Sequence, residues 1–91
     1  MQFEWDLAKA RANFAKHHVS FEEATTVFGD PLSITFADPD HSTDEDRYVI
    51  IGTTPVGRLL IVAHTDRRDR IRIISAREAM PRERRAYERG N

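Results

Sequence analysis

Arg70-Ile-Arg-Ile-Ile-Ser-Ala-Arg-Glu-Ala79 is the stretch that decides how this chain folds. Isoleucines alternate with arginines at its start. A strand there buries Ile71 and Ile73 on one face and presents Arg70 and Arg72 on the other. Ser75 stands at the expected strand end and Glu78 three residues on, the spacing of a capping box that opens a helix. Arg77 then falls in the first helical turn, beside free backbone N–H groups and the positive end of the helix dipole. The dipole does not favour a cation there. Either a phosphate bound at the junction or a carboxylate on a neighbouring element accounts for it.

Charge is divided sharply along the chain, although the formal net charge is only -1. Residues 1–46 carry three cations, Lys9, Arg11 and Lys16, against ten carboxylates. Residues 47–91 carry eleven arginines, no lysine and five carboxylates. Arginine's planar fork binds phosphate or carboxylate bidentately, where lysine acts as a point charge. The asymmetry suggests a surface that faces a polyanion or a complementary acidic partner.

With 91 residues, 40% hydrophobic and 32% charged, the chain suits a single domain, 1–91, with one core. The absence of cysteine excludes disulfides, thiolate zinc sites and thiol nucleophiles. The longest apolar run, Leu59-Leu-Ile-Val-Ala63, is strand-sized, and Met1–Asp6 lacks the basic and apolar regions of a signal peptide. A soluble, cytoplasmic protein without membrane contact is expected.

Phe3 and Trp5 alternate with Gln2 and Glu4 as a short first strand, and Asp6 is placed to cap a helix over Leu7–His17. On that helix Lys9, Asn13, Lys16 and His17 form a polar stripe. Ser20-Phe-Glu-Glu23 is a second capping box, opening a helix that carries Phe21, Ala24, Val27 and Phe28 and stops by Gly29-Asp-Pro31. A strand around Leu32–Phe36 leads into the acidic loop Ala37–Asp46. Strands over Arg47–Gly52 and Arg58–Thr65 follow, and the loop Asp66–Asp69 precedes the decisive segment. Pro81 kinks the last helix or starts a new segment. The expected order is βααβββα, an α+β fold with helices packed on an antiparallel sheet.

Phe3-x-Trp-Asp6, Lys16-His17, Val19-Ser-Phe-Glu-Glu-Ala24, Val27-Phe28, His41-Ser42, Gly57-Arg58 and Arg72-Ile-Ile-Ser-Ala-Arg77 resemble the BrnT toxins, in order and over nearly the whole chain. Position 18 departs from the pattern, being His where the family usually has Gly, so the turn after the first helix must tolerate a side chain. Pro81 is the second departure. The resemblance implies a RelE-like fold and a ribonuclease toxin of a type II toxin–antitoxin pair that inhibits translation and growth. It also implies neutralisation by a BrnA-like antitoxin; the arginine-rich half adds the expectation that this partner is acidic-faced, with two toxins bridged by an antitoxin dimer. Contact with operator DNA is then indirect, through the antitoxin.

Ribonucleases of this fold use the substrate's 2′-hydroxyl as nucleophile and need no metal, so the protein supplies a base, an acid and cations. The catalytic candidates are Arg72 and Arg77 at the expected strand–helix junction, within reach of one phosphate. His64 joins them, its ordinary pKa near 6.5 suiting acid–base work, as do His17 and Lys16 from the family motif. Arg47 and Arg70 are candidate substrate-binding residues, and Tyr87 is a candidate for stacking on a base. Each has a plainer alternative: ion pairs for the arginines, packing for His64 and Tyr87, and a solvated helix end for Lys16 and His17. His41 and Glu45, beside Asp38, Asp40 and Asp44, match no metal-loop spacing, so neither metal nor cofactor is expected. A non-catalytic module of the same fold, binding nucleic acid or protein through its arginines, remains the second reading.

Overall fold

In the computed structural model, which describes residues 1–38 and 46–90, the chain is a five-stranded sheet with helices on both faces. The elements are β1 (Gln2–Glu4), α1 (Leu7–His17), α2 (Phe21–Thr25) running into a 3-10 turn (Thr26–Gly29), β2 (Ile34–Ala37), β3 (Arg47–Thr53), β4 (Leu59–Arg67), β5 (Arg70–Glu78) and α3 (Pro81–Arg89). The strands lie in the order β1-β5-β4-β3-β2, with β1 parallel to β5 and every other pair antiparallel. The class is the α+β one expected, but the meander has four strands, β2 to β5, one more than the expected order counts.

β1 and β2 occupy opposite edges, so the chain between them must cross the whole sheet. It crosses as α1 and α2, whose local signals behave as read. Asp6 accepts from the Lys9 N–H at 3.0 Å and Ser20 from the Glu23 N–H at 3.0 Å. His18 closes α1 in the left-handed conformation, φ 58° and ψ 33°, which a glycine adopts at lower cost. Beneath these helices lies the main core of Val19, Phe21, Ala24, Val27, Ile50, Leu60, Val62, Ile73 and Ala76. Gly52 is needed where the 3-10 turn crosses β3: a Cβ there would sit 2.9 Å from the Val27 Cβ and 3.0 Å from its carbonyl oxygen. A smaller cluster on the opposite face, Ile51, Leu59 and Ile61, is covered by Tyr87 and Ala79 at α3.

The decisive segment folds differently from its local pattern. β5 continues to Glu78, so Ser75 caps nothing and Arg77 lies in a strand. The helix begins instead at Pro81, and the Glu83 carboxylate accepts from the Met80 N–H at 2.8 Å. Of the two readings of Pro81, the start of a separate helix is the one realised. A register shift pairs His64 with Ile73 and Ala63 with Ser75, leaving Ile74 as the extra residue of a bulge. The bulge puts Ile73 and Ala76 on the same face three residues apart, a spacing that strict alternation does not produce.

Asn13 is buried, not part of an exposed stripe. Its Nδ2 donates to the carbonyls of Ala76 at 2.9 Å and Val19 at 3.0 Å, and its Oδ1 accepts from the Ala76 N–H at 3.0 Å. β1 pairs with β5 only at Arg70–Arg72, so farther along this carboxamide stands in for the missing neighbour strand. Replacing Asn13 by Leu leaves buried backbone groups unpaired and should cost about 2–4 kcal/mol. His18→Gly should stabilise by about 1 kcal/mol through relief of the left-handed backbone. Urea unfolding of the two variants checks both, and an unchanged midpoint for Asn13→Leu would refute the strand-substitute role.

Candidate active site

The sheet face opposite α1 and α2 is covered by α3 only around the Ile51 cluster. Its other end is an open groove of about 1130 Å³, lined by Glu4, Thr65, Arg72 and the β4–β5 hairpin residues Asp66 to Arg70. That exceeds the roughly 300–1,000 Å³ of small-molecule pockets and suits an extended chain. On this sheet face the register aligns one residue from each of four strands: Arg47 opposite Thr65, Thr65 opposite Arg72, and Arg72 opposite Glu4.

Within this row Arg72 Nε donates to Glu4 Oε2 at 3.1 Å. Both Nη atoms of Arg72 are without partners among the described residues, so the carboxylate orients the fork without filling it. Thr65, buried, donates its hydroxyl to the Asp46 carbonyl at 2.6 Å and so fixes the loop end before Arg47. The Arg47 Nε is buried and has no hydrogen-bond partner among the described residues. Arg47 and Arg72 are two strands apart, about 10 Å between backbones at 4.8 Å per strand. Arg70 lies exposed at the hairpin end of the groove, near Arg67 and Arg68 but also near Asp66 and Asp69.

The other candidates do not join this row. Arg77 shares the face, but their β4 partners Ile61 and Thr65 are four positions apart, so it lies about 13 Å along the strand from Arg72. Its fork is filled, Nη1 to Glu83 Oε1 at 2.8 Å and Nη2 to Oε2 at 2.7 Å. Hydrogen bonding to Glu83 raises its pKa and correspondingly lowers that of Glu83. A carboxylate, not a helix-bound phosphate, explains Arg77. Tyr87 is likewise engaged: its hydroxyl donates to Asp30 at 2.6 Å and accepts from Thr53 Oγ1 at 3.1 Å, clamping α3 to the sheet. The bond to Asp30 raises the Tyr87 pKa. For Asp30 burial pushes upward, yet the donors Tyr87, Thr53 N–H and Leu32 N–H outweigh it and leave its pKa lowered.

His64 points to the helix side, opposite Arg72, between the rings of Phe28 at 4.9 Å and Tyr48 at 5.8 Å. It is 5% exposed, and neither ring nitrogen has a partner among the described residues. Lys16 and His17 end α1, on the helix-covered side of the sheet. They adjoin His18, whose carbonyl accepts from Arg58, the residue that also pairs with Glu23 at 2.8 Å and Glu78 at 3.0 Å. His41, Asp40, Asp44 and Glu45 lie outside the described residues. Among those described, no three His, Asp or Glu side chains group as a metal site. Sequence reasoning missed Glu4 and Thr65 as partners of Arg72. Alternation alone put Glu4 on the polar face of the first strand, but its neighbour across the sheet is 68 residues away.

The sequence model of the family described as "Ribonuclease toxin, BrnT, of type II toxin-antitoxin system" matches residues 5–83. The chain belongs to this family. Its fold is similar to the crystal structure of the Brucella abortus ribonuclease toxin, BrnT, with a TM-score of 0.68 and 24% identity over 88% of this chain and 97% of that one. No curated protein sequence matches it. Membership implies an antitoxin partner. No described helix is long and apolar enough to cross a membrane.

Burial lowers the His64 pKa from its ordinary 6.5, against a smaller upward pull from the Asp66 carboxylate. The folded protein therefore resists protonation that the unfolded chain accepts. Stability should be full above pH 6.5 and should fall as pH drops below it. His64→Phe, which keeps the ring between Phe28 and Tyr48, should flatten this part of the profile. Urea midpoints at pH 7.5 and 5.5 test it; equal pH sensitivity in both proteins would show that His64 is not its source.

Proposed function

We propose that this BrnT-family chain is a metal-independent RNA endonuclease acting at the Arg47–Thr65–Arg72–Glu4 row. The 2′-oxygen of a nucleotide laid along the groove attacks its own phosphorus, and the bond to the 5′-oxygen of the next nucleotide breaks. The products are a 2′,3′-cyclic phosphate and a 5′-hydroxyl. The nucleophile's proton passes to a base and the leaving oxygen takes one from an acid. Arg72 meets the negative charge that develops on the phosphoryl oxygens, and Arg47 approaches from across the row. Glu4 holds Nε so that the rest of the fork faces the substrate, an orientation set before binding. Arg70 and the hairpin arginines contact flanking phosphates. Cleavage of this kind stops translation and growth, and a BrnA-like antitoxin, as a dimer bridging two toxins, seals the toxin and carries the contact with operator DNA.

The single observation that carries this reading is the half-used fork of Arg72, oriented by Glu4 in an open groove. The groove's matching carboxylates, and the lack of an imidazole among its described lining residues, favour a second reading, a non-catalytic binding module of the same fold.

Expression of the chain alone in a bacterium separates the two: arrested growth with degraded RNA supports the nuclease, and their absence supports the module. Arg72→Ala should lower cleavage by about 10²–10³-fold while leaving the fold intact, the usual loss for one transition-state donor. Arg77→Ala should mainly loosen α3 and lower stability, with much smaller loss of cleavage. Undiminished cleavage by folded Arg72→Ala would remove that residue from the site. Purified protein should retain cleavage in excess chelator, whereas loss restored by magnesium or manganese would disprove metal independence.

A further inference from the structure

β2 places an aromatic ring on the same sheet face as the arginine row. Its register sets Phe36 opposite Val49 and Ile34 opposite Ile51, and on β3 Arg47, Val49 and Ile51 alternate onto that face. Ile34 and Val49 pack against the Ile51 cluster that α3 covers. Phe36 instead stays 45% exposed, and its ring stacks on no other ring among the described residues. From Phe36 the face leads to Arg47, one strand over and two residues along, and then to Thr65 and Arg72. At roughly 4.8 Å per strand and 3.4 Å per residue, the backbone separation is about 8 Å to Arg47 and about 16 Å to Arg72.

An exposed ring beside cations on an open sheet is the composition of surfaces that hold single-stranded nucleic acid. Guanidinium groups follow the backbone there, and the ring receives an unstacked base. The sequence offered Tyr87 for that task, but its hydroxyl is committed to Asp30 and Thr53. A protein surface is the poorer match, because the side chains leading from Phe36 toward the groove are Arg47, Thr65 and Arg72, not a continuous apolar patch. We propose that Phe36 is a base-stacking platform for the RNA substrate, holding a nucleotide that flanks the one attacked beside Arg72. This rests on the nuclease reading. The separation from Arg72 puts the ring outside the chemical step, so it governs how tightly the strand binds and where it lies. A phenyl ring carries no hydrogen-bonding group, so the subsite accepts any base and favours those that stack most strongly.

The probe is a short single-stranded RNA, 2′-O-methylated throughout so that no 2′-oxygen can attack, and its affinity for the full chain is measured. Phe36→Ala should weaken binding by roughly 5–150-fold, the range for one base–aromatic stack. Phe36→Leu keeps an apolar side chain and guards against a folding defect; it should lose nearly as much, whereas Phe36→Tyr should bind as the parent does. An abasic nucleotide moved along the probe should reveal a position where the loss equals that of Phe36→Ala and where the variant adds nothing further. With unmodified RNA, Phe36→Ala should raise KM more than it lowers kcat. Undiminished probe affinity in folded Phe36→Ala would overturn the proposal. So would loss of antitoxin affinity with probe affinity intact, which would assign the ring to the protein partner. If the parent binds the probe through Phe36 yet cleaves no RNA, the nuclease reading fails and the stacking subsite stands. If the parent does not bind the probe, the subsite falls, while cleavage of unmodified RNA still decides the nuclease reading.

Discussion

The carboxamide of Asn13 is the contact on which the arrangement depends. β5 has β4 on one side along its length, but β1 covers its other side only at Arg70–Arg72. The strand edge beyond would be an unpaired donor and acceptor buried under a helix. Asn13 supplies both partners from one planar amide, as a peptide group would, and its remaining N–H reaches Val19. Because α1 is held at that edge, the left-handed turn at His18 delivers Val19 and Phe21 into the core. The 3-10 turn then comes to rest on Gly52, where the absence of a side chain lets Val27 approach the strand.

Charge is organised by the same topology. Inserting β1 beside β5 brings the acidic first half against the arginine-rich second half. Glu4 then meets Arg72, and α2 brings Glu23 to Arg58. Partly exposed pairs of this kind contribute little to stability, about 0–1 kcal/mol each, but they aim guanidinium groups. Arg58 and Arg77 are consumed in fastening α2 and α3, whereas Arg72 is oriented with its fork end open. The chemical difference between a fastening arginine and one open to a ligand lies in which nitrogens the carboxylate leaves free.

Much of the local structure is legible in the residues. The bounds of α1, its Asp6 cap, the Ser20 cap and the stop near Gly29 follow from short-range hydrogen bonds and apolar spacing, which act the same way in any fold. Ser75 and Glu78 show where that logic fails. Their spacing is a helix signal, yet Ser75 to Glu78 pair instead with Leu60 to Ala63, and ladder bonds to a distant strand override a local cap. The bulge at Ile74 disguises the same strand, because it breaks the alternation that marks a half-buried segment.

The sequence by itself determined the helix starts and stops, the apolar strands, the α+β class and the identity of Arg72 as a residue of interest, since these rest on neighbours within a few positions. Only the tertiary structure decided what stands beside Arg72. Thr65 and Glu4 flank it, with Arg47 beyond Thr65, through lateral register across four strands, and no spacing along the chain encodes that register before the sheet forms. Tertiary structure likewise placed His64 behind the sheet and filled the fork of Arg77, because side-chain facing flips with every residue and a single bulge resets it.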